Sequence, residues 1–129
     1  MEATLPKSER LCGKKAVEAL FGQGKSLTEG CLRVRFLDRA DEGPVRMMVS
    51  VPKRHFKRAV KRNLLKRRIR ESYRRQKELA GTGKDILFVY LSREVLPYEV
   101  IFAEMTAVLR RMQTVDNQKI MQNDPGENA

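Results

Sequence analysis

The stretch Lys53–Leu91, KRHFKRAVKRNLLKRRIRESYRRQKELAGTGKDILFVYL, reads as a helix, a break and a strand, and it decides the fold class. Its first part, Lys53 to Arg75, carries twelve of the chain's 27 basic residues and a single acid, Glu71. A helix is predicted from about Lys57 to Leu79, because Leu65, Ile69, Ser72, Tyr73 and Gln76 share one arc at about 100° per residue. Gly81 and Gly83 stop it. Asp85 to Leu91 is then an unbroken apolar run of strand length, rich in β-formers, which predicts a central strand buried on both faces.

Working outward, Val45 to Val51 reads as a second strand ended by Pro52, which cannot donate to a ladder. Before it, Leu27 to Asp38 alternates, with Leu32, Val34 and Phe36 on one face and Arg33, Arg35 and Leu37 on the other. The polar turn Asp38–Pro44 between these two strands predicts that they form an antiparallel pair. Ala16, Val17, Leu20 and Phe21 recur at helical steps along Gly13–Phe21, with Gly22 and Gly24 expected to end that helix. Pro97 opens a last helix, in which Tyr98, Ile101, Phe102, Met105, Val108, Leu109 and Met112 form a core stripe. The polar segment 113–129 is expected to be a loose tail. The prediction is one α+β domain over residues 1–112, with helices packed on a single sheet.

Net charge is +11 over 129 residues, with 41% hydrophobic residues, which describes a folded basic protein rather than a low-complexity tail. Like charges one helical turn apart repel by a few tenths of a kcal/mol each. A run this dense therefore calls for an external polyanion. The helical wheel gathers Arg62, Asn63, Lys66, Arg67, Arg70 and Arg74 into an arc of roughly 140° beside the apolar one. A solvated surface is the ordinary fate of a charge run, but acids at i±4 to pair these cations are nearly absent. Arginine forks grip two phosphate oxygens at once or stack on bases, which suits RNA.

Other chemistries find little support. Cys12 and Cys31 lack metal-site or redox spacing and read as buried or half-buried thiols. His55, the only histidine, sits among cations that depress its pKa, and no carboxylate pair supplies a general base. Asp38, Asp41 and Glu42 read as solvated turn formers, and Asp85 as a strand start or a cap on a backbone group. No apolar run reaches the roughly 18 residues that span a bilayer, and Met1–Arg10 lacks a signal peptide's centre, so a cytoplasmic protein without membrane contact is expected.

The string Arg62-Asn-Leu-Leu-Lys66-Arg67-Arg-Ile-Arg70-Glu, preceded by Ala59-Val60, resembles the RNxxKRxxRE signature of the bacterial ribonuclease P protein component. The order of a helix ending at Phe21, a strand ending VSVPK at Lys53 and an aspartate-led strand from Asp85 extends the resemblance over about Leu5 to Met112. It implies an α+β sandwich of order αβββαβα with a left-handed crossover, similar to a domain of a ribosomal protein. It also implies partners: the catalytic RNA subunit of ribonuclease P, which performs the chemistry with Mg²⁺, and precursor tRNA, whose 5′ leader lies in a cleft between the first helix and the sheet. On this resemblance Lys53, Arg54, Lys61, Arg62, Asn63, Lys66, Arg67, Arg70 and Arg74 bind RNA. Phe21, Arg33, Arg35 and Phe36 are the candidates for the leader cleft, with no catalytic or metal-binding residue in the protein. Strand parity leaves open whether Arg35 or Phe36 faces the leader, and Arg33 and Arg35 could offer phosphate contact in place of stacking.

The chain departs from the signature in the RHFKR segment after Lys53, one residue longer than usual and lacking a glycine, and in Val17, where the family has an aromatic. Two rival readings remain at this point. A basic-zipper transcription factor needs a heptad through Leu65, Ser72, Leu79 and Ile86, which Gly81 and Gly83 interrupt. A ribosomal or other structured-RNA-binding protein without a processing role has the same composition and differs only in the motif.

Overall fold

A computed structural model of the chain describes residues 9–11, 13–39 and 43–121, so Cys12, Asp41, Glu42 and the end of the polar tail lie outside the described residues. The order is α1 Lys14–Gln23, β1 Lys25–Glu29, β2 Leu32–Asp38, β3 Arg46–Ser50, α2 Ala59–Arg74, β4 Lys84–Tyr90 and α3 Tyr98–Met121. A short 3-10 turn, Lys77–Ala80, follows α2. This is the αβββαβα order of an α+β sandwich.

The alternation seen over 27–38 belongs to two strands. Gly30 and Cys31 reverse the chain, and β1 and β2 pair antiparallel from Glu29↔Leu32 to Lys25↔Phe36. Gly30 takes φ +55, a left-handed conformation cheap only without a Cβ. Any Cβ there would also collide with the Glu104 carboxylate of α3. That carboxylate accepts the Cys31 N–H at 2.6 Å. Further along α3, Arg111 donates to the Thr28 carbonyl at 2.9 Å and to the Glu29 carboxylate at 2.8 Å. The last helix is thus laced to the first hairpin.

The sheet runs β1-β2-β4-β3, which corrects the expected pairing of β2 with β3. β4 enters between them, antiparallel to β2 and parallel to β3. β2 and β3 do run in opposite directions, but β4 is apolar on both faces and hides them only in the middle of the sheet. Asp85 fixes it there. Its carboxylate is buried and accepts from Arg39, just past β2, at 2.9 Å, and from Arg46 of β3 at 2.8 Å through both Nε and Nη2. Both flanking strands are therefore clamped to one acid of the inserted strand.

Alternation sends Val34, Phe36, Met47, Val49, Ile86, Phe88 and Tyr90 to one face, where α2 and α3 cover them with Leu65, Ile69, Tyr73, Ile101, Met105, Val108 and Leu109. On the other face Leu87 packs with Leu11 and Leu20, joined by Ala16, Leu37, Met48 and Val89 under α1. Leu11 also donates its N–H to the Met47 carbonyl at 2.9 Å, so the N-terminal segment covers the β3 edge.

α1 runs through Gly22 to Gln23, two residues past the expected Phe21, and two further helix ends differ by more than a turn. α2 stops at Arg74, before Leu79, because buried Gln76 turns its side chain to α3, donating to the Phe102 carbonyl and accepting from the Thr106 hydroxyl at 2.6 Å. α3 continues to Met121, past the Met112 expected from its apolar stripe, and residues 113–121 are helix rather than loose tail. Among the described residues no helix is long and apolar enough to cross a membrane.

Two substitutions test this framework by urea unfolding. Asp85→Asn leaves two guanidinium groups facing a neutral amide and should cost about 3–5 kcal/mol. Gly30→Ala should cost at least about 1–2 kcal/mol for the left-handed backbone alone, and more for displacing Glu104.

Candidate nucleic-acid interface

α2 is divided lengthwise. Leu65, Ile69, Ser72 and Tyr73 are fully enclosed against the sheet and α3. Lys61, Asn63, Arg67 and Arg74 are exposed, with Arg62, Lys66 and Arg70 half-buried along the border. This matches the helical wheel, whose basic arc begins where the apolar arc ends. Among the described residues, Lys61, Asn63, Lys66, Arg67 and Arg70 form no ion pair and no side-chain hydrogen bond.

Other arginines of the segment are committed within the protein. Arg62 donates to the carbonyls of Phe56 and Lys57 at 2.7 and 3.0 Å and so ties the start of α2 to the preceding loop. Arg68 reaches the Leu96 carbonyl at 2.5 Å, and Tyr90 holds the same loop through Glu94 and Leu96. Glu71 accepts from both Arg74 and Arg75 at 2.7 to 3.0 Å. Those hydrogen bonds, Arg74 first, hold its carboxyl down to about 2, so it stays charged at any ordinary pH. Arg74 of the predicted set is therefore partly neutralised by its own helix, which the sequence had shown only as a lone acid.

The unusual RHFKR segment is accommodated by Phe56. Its ring is buried and packs 5.9 Å from Tyr90, which leaves Lys53, Arg54, Lys57 and Arg58 exposed around the helix start. No acid lies in the first turn of α2 and no side chain caps it, so the helix dipole adds to this positive field. A groove of about 520 Å³ lined by His55, Lys57, Arg58, Lys61 and Arg93 opens there, with Glu94 as its acid. His55 Nδ1 is buried with no partner among the described residues. Lost hydration, then the charges of Arg93 and Arg54, push the His55 pKa below its ordinary value.

A second surface lies on the opposite face of the sheet, between α1 and β2. Phe21 is more than half exposed at the end of α1, and the Arg35 guanidinium carbon lies 5.6 Å from its ring centroid. Arg35 donates to the carbonyls of Leu20 and Phe21 at 3.1 and 2.6 Å and to the Ser26 hydroxyl at 3.1 Å. Its fork thus caps the C-terminus of α1 and orients the Phe21 ring, a role the sequence reading did not foresee. Arg33 shares this face and is exposed. Phe36 does not share this face: its side chain points to the α2 and α3 face and is 2% exposed, so of the two residues that parity left open only Arg35 lies beside α1.

A family profile described as Ribonuclease P matches residues 5–113. The Ribonuclease P protein component of Chlorobaculum tepidum is 41% identical over 126 residues, covering 84% of this chain and 82% of that protein. That of Porphyromonas gingivalis is 43% identical over 77 residues, 58% of this chain, and this match spans only 56% of the relative's length. Among solved structures, the RNase P protein from Thermotoga maritima superimposes with a TM-score of 0.71 at 26% identity, covering 80% of this chain and 96% of that one. A Staphylococcus aureus RNase P protein shares the fold at a TM-score of 0.71 and 23% identity, covering 82% and 96%. With a profile that runs from before α1 to well inside α3, and with the order of strands and helices in agreement, this chain belongs to the ribonuclease P protein family.

Proposed function

We propose that this chain is the RNA-binding protein subunit of ribonuclease P, which assists removal of the 5′ leader from precursor tRNA in the cytoplasm. One observation carries the reading: α2 buries its apolar arc and turns outward a row of cations that, apart from Arg74, no acid among the described residues neutralises. Lys61, Asn63, Lys66, Arg67 and Arg70, joined by Lys53 and Arg54 at the helix start, meet the catalytic RNA. Arg62 secures that helix start and supports the same contact.

The cleft on the opposite face takes the leader. A base stacked on Phe21 contributes about 1–3 kcal/mol, and exposed Arg33 is free to meet a phosphate beside it. Because the two surfaces lie on opposite faces of one sheet, the protein bridges two RNA segments. In this reading magnesium and the cleavage chemistry belong to the RNA, as the resemblance to the family implies.

If about six phosphates are neutralised, log affinity for a bacterial ribonuclease P RNA should fall against log salt with a slope of roughly −4 to −5. Arg67→Ala should weaken binding and make that slope shallower by about one, and an unchanged slope would remove α2 from the interface. Cleavage of precursor tRNA by that RNA at low magnesium should be stimulated by the protein; absence of stimulation would favour a structured-RNA-binding role without processing. Phe21→Ala should weaken binding of precursor tRNA by roughly tenfold and leave mature tRNA, which lacks the leader, unaffected.

A further inference from the structure

In the first turn of the basic helix stands a residue with no evident use. Val60 is 76% exposed, the most exposed of the large hydrophobic side chains among the described residues. Valine is β-branched and a mediocre helix former, so it does not favour the helix. Val60 belongs to neither apolar cluster of the protein, so it does not serve the core. A threonine or alanine there would cost the fold nothing.

Its bearing on the helix gives the explanation. At about 100° per residue Val60 lies opposite buried Ile69 and within roughly 20° of Arg67, on the outermost line of the cationic face. Asn63 flanks it on one side, and half-buried Leu64, one turn on, continues a narrow apolar strip on the other. An apolar spot bordered by unpaired cations does not attract the acidic surface of a protein in preference to RNA. RNA combines phosphates with the apolar faces of unstacked bases and riboses.

The geometry points to Val60 as an apolar contact of the RNA interface, covered by the base or sugar face of an unpaired nucleotide while Arg67 and Asn63 hold the neighbouring backbone. This inference rests on the function proposed above. It adds an affinity term that counterion release does not govern: phosphate contacts weaken with salt, and burial of an apolar side chain does not. The cationic helix then has two separable components, one electrostatic and one hydrophobic.

The test measures affinity for a bacterial ribonuclease P RNA across a salt series with wild type, Val60→Thr, Val60→Ala and Arg67→Ala. Threonine keeps the shape and β-branching of valine and changes only its polarity, and alanine raises helix propensity, so neither should lower the thermal midpoint. Both should bind roughly tenfold more weakly at every salt concentration with the wild-type slope, whereas Arg67→Ala should show a shallower slope. Binding of both Val60 variants within twofold of wild type while Arg67→Ala weakens would overturn the inference and leave the functional reading standing. Wild-type protein that fails to bind the RNA would overturn both.

Discussion

The architecture depends on one carboxylate. Asp85 begins the only described strand that is apolar on both faces, and it receives Arg39 from the end of β2 and Arg46 from β3, so the inserted strand is bolted to both neighbours at one end. A buried ion pair of this kind contributes little net stability, since the cost of stripping water from the charges offsets their attraction. Its value is specificity. A β4 shifted by one residue, or placed at the sheet edge, leaves the acid without its arginines and the arginines without their acid.

From that insertion follows the display of the basic helix. β3 and β4 are parallel neighbours, so the chain between them must travel the length of the sheet, and α2 is that connection. Lying across the sheet, it gives its apolar arc to the core and its basic arc to solvent. Arg62 and Arg68 take no part in the outward row because they tie down the loops at either side, and Glu71 restrains Arg74 and Arg75. Among the described residues the side chains of the row that remains are unrestrained, but the backbone that carries them is fixed by the buried face of the helix.

Much of this was legible in the sequence, and the failures have physical causes. The apolar run of β4 announced a central strand, and the phase of Leu65, Ile69 and Tyr73 against Arg67 and Arg70 gave the division of α2. The pairing of β2 and β3 was misread because local turn chemistry cannot reveal that a later strand enters between them. Gly30 sits inside an alternating run and its turn was hidden by the unbroken parity around it. Phe36 was kept as a cleft candidate, and its side chain is buried on the other face. Arg35 looked like a phosphate ligand, although its donors cap the end of α1; nothing in the spacing shows that a side chain will prefer carbonyls fourteen or fifteen residues away. The end of α3 was set too early because its apolar stripe fades at Met112 while the helix itself does not.

The hydrogen bond between Glu104 and the hairpin turn has a consequence for the thiol beside it. Burial, then the hydrogen bond and charge of Glu104, raise the Cys31 thiol to about 12, so only roughly one molecule in a hundred thousand carries the thiolate at neutral pH. Alkylating reagents attack the thiolate, so Cys31 is shielded for as long as α3 and Glu104 cover the hairpin turn. Slow modification of Cys31 is therefore the chemical signature of an intact contact between α3 and the first hairpin.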